Sequence, residues 1–72
     1  MRLQYYPDTD SLYIDLASLP SASSREVSEG IVLDYDADGN LVGIDIDNAS
    51  TKIELREITL SGMPATINRL TA

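Results

Sequence analysis

The sequence predicts a small β-rich fold, an antiparallel sheet built from two consecutive β-hairpins with a further C-terminal strand. Three observations predict it. Residues 31–46 alternate apolar and polar side chains on both flanks of Asp38-Gly39. The runs Arg2–Tyr6 and Leu12–Ala17, rich in aromatic and aliphatic residues, flank Pro7-Asp8-Thr9-Asp10. Lys52-Ile53-Glu54-Leu55-Arg56 alternates in the same two-residue period, as a half-buried strand does.

The central hairpin carries the most information. Asp-Gly is a favoured pair for a type I′ turn, in which both central residues take positive φ. With that turn at Asp38-Gly39, Tyr35 faces Val42, Leu33 faces Ile44 and Ile31 faces Ile46, so six apolar residues share one side. A slip of one residue sets Leu33 against Gly43 and breaks the alternation on both strands. A four-residue loop over 37–40 keeps the same register, whereas three- or five-residue loops do not.

In the first hairpin, Pro presets φ and the Asx side chains bond the local backbone, which makes 7–10 a four-residue turn. Tyr6 then pairs with Ser11, Tyr5 with Leu12, Leu3 with Ile14 and Met1 with Leu16, while Arg2 meets Asp15 on the other side. The serine-rich, Pro-containing stretch 17–24 reads as a connecting loop. Arg25-Glu26-Val27 reads as a short extended piece before Gly30.

After residue 50 the pattern weakens. Thr51-Lys52-Ile53-Glu54 also fits a helix capping box with Thr51 as N-cap, but Ile53 and Leu55, two apart, favour a strand. Met63, Ile67 and Leu70 have helical spacing beyond the break at Ser61-Gly62-Met63-Pro64. The fold class is therefore all-β, or α+β if a short C-terminal helix forms there.

The chain has 72 residues, which sets the expectation of a single small domain. A domain of this size buries only about 60% of the surface its unfolded chain exposes. Small folds compensate with disulfides, a structural metal or a partner subunit. There is no Cys and no His, so disulfides are excluded and the thiolate and imidazole ligands of zinc and copper sites are missing. No cofactor is expected, and a homodimer is the aid left open.

Twelve acidic against five basic residues give a net charge of −7. Such a field repels phosphate backbones and suits a basic protein or a hard cation, so nucleic acid is not an expected partner. No apolar run approaches the roughly 20 residues that span a bilayer, and Met1-Arg2-Leu3-Gln4 opens into a strand pattern rather than a signal peptide. Neither a membrane partner nor export is expected, and the cytoplasm is the expected compartment.

Asp34, Asp36, Asp45 and Asp47 fall on the face opposite the hairpin's apolar side. Like charges so placed cost stability. The face is either a solvated surface that keeps the domain soluble and its edges apart, or a contact surface for a basic partner. A third reading makes Asp34, Asp36 and Asp45 a divalent-cation site. Asp34-Tyr35-Asp36-Ala37-Asp38-Gly39 does match the first six positions of an EF-hand loop, with Asp45 where the bidentate Glu belongs. That loop needs helical flanks, and both flanks here have a period of two. With the commonest general base and the best nucleophile absent, no catalytic residue is assigned and an enzyme is not expected.

The segment Tyr6-Pro7-Asp8-Thr9-Asp10-Ser11-Leu12-Tyr13-Ile14, followed by the whole of Gly30–Ser50 through Asp34-Tyr35-Asp36-Ala37-Asp38-Gly39, resembles the YuzE-like family of small bacterial proteins, catalogued as domain of unknown function 2283. The likeness covers residues 3–50 with both hairpins in order, and it departs where such proteins often carry Asp-Pro after the tyrosine. It marks 51–72 as the variable part. It implies a compact β-rich domain without an assigned activity or site residues. Relatives encoded beside small toxin-like proteins would suit an acidic, antitoxin-like role, and a structural subunit of a homo-oligomer is the other alternative.

Overall fold

The computed structural model describes residues 1–57 together with Thr59, Ser61 and Gly62. It is a five-stranded, wholly antiparallel sheet with one short helix. In chain order the elements are β1 (Arg2–Tyr6), β2 (Ser11–Asp15), β3 (Ser23–Ser28), β4 (Ile31–Tyr35), β5 (Leu41–Ile46) and α1 (Ala49–Lys52). The spatial order is β1-β2-β5-β4-β3. The last strand thus sits in the middle, where it joins the first hairpin to the rest.

The first hairpin has the register read from its residues: Arg2 pairs with Asp15, Leu3 with Ile14, Tyr5 with Leu12 and Tyr6 with Ser11. In the central hairpin Ile31 pairs with Ile46 and Leu33 with Ile44, again as expected. Pairing of β2 with β5 sets Leu12 beside Ile46 and Ile14 beside Ile44, so the two apolar stripes fuse. Leu12, Ile46 and Ala49 form the buried cluster, with Leu3, Tyr5, Ile14, Ile31, Ile44 and Leu55 packed against it. Burial of a Leu or Ile side chain contributes roughly 1.5–3 kcal/mol.

Three expectations need correction. The first is the turn. Tyr35 pairs with Leu41, not Val42, and the register shifts between Asp34 and Tyr35. The Gly39 amide donates to the Asp36 carbonyl (3.1 Å), and the Asp36 amide donates to the Asn40 carbonyl (2.9 Å). Gly39 takes φ of 83° while Asp38 keeps negative φ, so the connection is a three-residue loop over 37–39 and not a type I′ turn. A type I turn followed by glycine in the left-handed region needs only one positive φ, which glycine adopts without strain. Val42 is the extra residue of a β-bulge that restores the register at Asp34–Gly43, and it is buried to 2% exposure.

The second correction is β3. The predicted loop over 17–24 ends earlier, because Ser23-Ser24 already pair with Tyr35 and Asp34. All six β3 residues are exposed, so the strand lacks the apolar alternation that would reveal it. It exists because β4 offers it an unpaired ladder. The third concerns the C-terminal segment. The strand expected at Lys52–Arg56 does not form; Ala49–Lys52 is a helical turn, Ile53 follows it as C-cap, and 54–57 are turn or coil. Thr51 lies inside the helix with its hydroxyl donating to the Asn48 carbonyl (2.8 Å), so it is not the N-cap. The helical spacing of Met63, Ile67 and Leu70 lies outside the described residues.

The helix starts where it does because a distant turn caps it. Asn48 stands at the N-cap position with φ of 51° and makes no side-chain cap. The unpaired amides of a first helical turn need acceptors. Asp10 supplies them from the first hairpin: its carbonyl accepts from the Ala49 amide (2.8 Å), and its carboxylate accepts from the Ser50 amide (3.1 Å) and hydroxyl (2.6 Å). The same carboxylate accepts from the Tyr5 hydroxyl (2.7 Å). Asp10 itself has positive φ, 54°, a conformation Asp tolerates better than most residues.

These bonds, that from the Ser50 hydroxyl first, hold the Asp10 carboxyl below the ordinary carboxylate range. Because the folded value is depressed, the stabilisation is present above the unfolded carboxylate pKa, near 3.9, and disappears as pH falls through the lower folded value. Asp10→Ala is expected to lower the melting temperature near neutral pH. Its melting curves should converge with those of the parent chain as the pH falls through the depressed folded value of Asp10. Thermal melts of the two chains across that range check this.

Candidate functional site

The polar face of the sheet carries the four aspartates singled out above, and the structure treats them differently. Asp34, Asp36 and Asp45 are half-buried, whereas Asp47 is exposed. Asp36 belongs to the turn: its Oδ1 accepts from the backbone amides of Asp38 (2.9 Å) and Asn40 (2.8 Å), and its Oδ2 from the Asn40 side chain (3.4 Å). These bonds, that from the Asn40 amide above all, keep its carboxyl below the usual range. Asp36 is therefore a structural residue, turned into the loop and not displayed outward.

Asp34 lies at the end of a bridge across four strands. Tyr13 on β2 reaches over Gly43 on β5 and donates its hydroxyl to Asp34 Oδ2 on β4 (2.8 Å). Ser24 on β3 donates to Asp34 Oδ1 (2.6 Å). Register makes this possible, since Asp34 stands opposite Gly43 on one side and Ser24 on the other. Gly43 is required because a Cβ there would collide with the Tyr13 hydroxyl and its ring carbon Cζ. Acceptance by Asp34, together with burial and the nearby negative charges, pushes the Tyr13 phenol up to about 12. Nothing in the residue pattern singles out Tyr13 for this role; the glycine at position 43, inside an otherwise alternating strand, was the one available signal of a close approach.

Asp45 stands between Tyr13 on β2 and Val32 on β4. Its carboxyl is pushed above the ordinary range, first by burial and then by the charges of Asp47 and Asp34. Asp47 accepts a long bond from the Ser11 hydroxyl (3.4 Å), and its backbone carbonyl accepts from the Lys52 ammonium. Asp34, Asp45 and Asp47 thus form one field of like charge, with Asp36 set apart. The cation-site reading is not supported by this geometry: among the described residues no group of three or more carboxylates is arranged to hold a metal ion. Both Asp34 oxygens already accept hydroxyl protons.

A bulge-pinned, five-stranded antiparallel sheet with one acidic face defines the class of protein in hand, a small open-sheet domain. The sequence profile of the family described as "Protein of unknown function (DUF2283)" matches residues 2–50, the span from β1 into the start of α1. The chain belongs to that family. Searches of curated proteins and of solved structures return no match. No helix among the described residues is long and apolar enough to cross a membrane.

The Tyr13 bridge has two consequences. Its raised phenol pKa means the bond stabilises the fold below the unfolded tyrosine value of about 10 and is lost as pH rises through about 12. In a spectrophotometric titration Tyr13 and Tyr5, the latter raised by its bond to Asp10, should both ionise late, and Asp34→Asn should lower the titration of Tyr13 alone. Gly43→Ala should destabilise the domain by about 1–3 kcal/mol, the usual cost of forcing an extra methyl into a filled site. Urea melts of G43A and of the G43A/Tyr13→Ala pair check it, the second change relieving the collision.

Proposed function

We propose that this chain is a non-enzymatic interaction module whose contact surface is the acidic sheet face around Asp34, Asp45 and Asp47, and whose partner is a basic protein. The observation that carries the reading is the state of Asp45. Its carboxyl is half-buried, and the charges acting on it, Asp47 and Asp34, have its own sign. A lysine or arginine from a partner would relieve that repulsion and complete a charge-assisted bond, the complementarity that sets specificity and association rate. The net charge of −7 supports the same reading through long-range attraction of a cationic surface.

An antitoxin-like partner of a small basic protein in the bacterial cytoplasm is the specific form this takes. It draws on the family resemblance and on the charge, and co-purification with a small basic protein encoded beside it is its direct test.

A surface kept for binding at the expense of the free fold makes opposite predictions for stability and affinity. Asp45→Asn should raise the melting temperature of the free chain, because it removes a desolvated charge held among like charges. It should also weaken binding of a synthetic arginine-rich peptide by several-fold at low salt, where electrostatics are least screened. Asp8→Asn, an equal charge change in the exposed first turn, is the control. Titration calorimetry of the three chains decides: equal losses for both variants would reduce the effect to net charge and remove the assignment of this face.

A further inference from the structure

The sheet ends in two unlike edges, and the contrast points to one of them as a contact between copies of the chain. At one end β3 reads Ser-Ser-Arg-Glu-Val-Ser, and its ladder shifts between Glu26 and Ser28. A bulge and polar side chains are the usual devices that stop an edge from accepting another strand. At the other end β1 pairs with β2 through five successive residues without a shift. Among the described residues β1 has a neighbouring strand on that side alone. Its outer ladder of backbone donors and acceptors is regular, and no other strand among the described residues pairs with it.

Charge separates the edges further. In a chain of net charge −7, β1 carries Arg2 and no acid, whereas β3 carries Arg25 and Glu26. Of the two edges, β1 would bring two copies together with the lesser repulsion, and Arg2 of each would come near the other's Asp8 turn. Exposed apolar side chains are also more numerous along and beside β1 than on β3, where Val27 stands alone at 50%. Met1 at 71%, Tyr6 at 50% and Leu19 at 55% are among the large apolar residues left open, and Met1, Arg2 and Leu19 line one cleft beside the strand.

We propose that β1 pairs antiparallel with β1 of a second copy about a two-fold axis at Gln4, joining two sheets into one of ten strands. The register follows from the side chains. Centred on Gln4, every β1 residue finds a partner: Leu3 lies beside Tyr5 of the other copy on the apolar face, and Arg2 beside its Tyr6 on the polar face. A one-residue slip would place apolar against polar faces. The arrangement is isologous, so it closes at two copies and continues no further. Backbone ladder bonds supply the adhesion, as in other strand additions. The Leu3–Tyr5 and Arg2–Tyr6 contacts, each made twice, supply the specificity.

Sedimentation of the full chain from micromolar to millimolar concentration reads the association. The chain has no cysteine, so single-cysteine variants report the register without background. Gln4 and Arg2 are exposed, and circular dichroism confirms that their variants keep the sheet. The expected result is a dimer in which Gln4→Cys oxidises to a linked pair and Arg25→Cys, on the opposite edge, does not. Arg2→Glu should weaken the dimer roughly tenfold or more, through lost pairing and new repulsion from the Asp8 turn. A chain that stays monomeric, whether residues 58–72 or nothing at all lies along β1, overturns the proposal. So does a dimer that links through Arg25→Cys as readily as through Gln4→Cys. The acidic-face reading is independent of both outcomes, because it is measured by Asp45→Asn on the peptide titration.

Discussion

Pairing of β2 with β5 is the constraint on which the rest of this molecule depends. Each hairpin alone has a single apolar stripe and nothing to bury it against, and an isolated two-stranded hairpin is marginal in water. When Leu12 meets Ile46 and Ile14 meets Ile44, the stripes merge into one apolar face and Ala49 closes over its end. This contact joins residues 30 to 34 positions apart, so its loop-closure cost is met by side chains that no local pattern could have assembled. Two further links secure the same junction. Asp10, from the β1–β2 turn, holds the first amides of α1, and Leu16 and Ala17 both donate to the Val42 carbonyl.

The two sides of that central strand pair do opposite work. On one side, apolar residues hold the sheet together. On the other, Tyr13 crosses Gly43 to reach Asp34, and Asp45 is left among charges of its own sign. Asp34 and Asp36 spend their oxygens on internal donors, which lowers the cost of their negative charge. Asp45 has no such compensation in the bonds described, and its raised pKa records that difference. A row of aspartates that looks uniform along the sequence is thus three distinct groups in space: a turn organiser, the anchor of a cross-strand bridge, and a strained carboxylate beside exposed Asp47. Asp34 and that last pair together make up the field of like charge on the polar face.

How much of this was legible in the residues follows their physics. Hairpin registers were readable wherever alternation and turn chemistry agreed, as at Leu3–Ile14 and Leu33–Ile44. The turn type was misread because Asp-Gly suits two solutions, and the choice between them was made by the Asp36 carboxylate and by burial of Val42, neither of which a dipeptide rule weighs. β3 was invisible as a strand because an exposed edge needs no apolar period; backbone pairing alone holds it. At 52–56 the alternation of Ile53 and Leu55 was real but unused. Capping by Asp10, forty residues away, drew the chain into a helical turn at Ala49 before any strand could begin there.

By itself, then, the sequence determined the β-rich class, the two local hairpins, the side of each of their strands that faces the core and the excess of negative charge. These are consequences of a two-residue side-chain period and of composition, and both are local. The tertiary structure decided the strand order, the bulge at Val42, the helix start and the fate of each aspartate. All of these depend on contacts between residues distant in the chain: Leu12 with Ile46, Asp10 with Ser50, Tyr13 with Asp34. A carboxylate's role is set by what stands opposite it, and in this protein what stands opposite arrives from another strand.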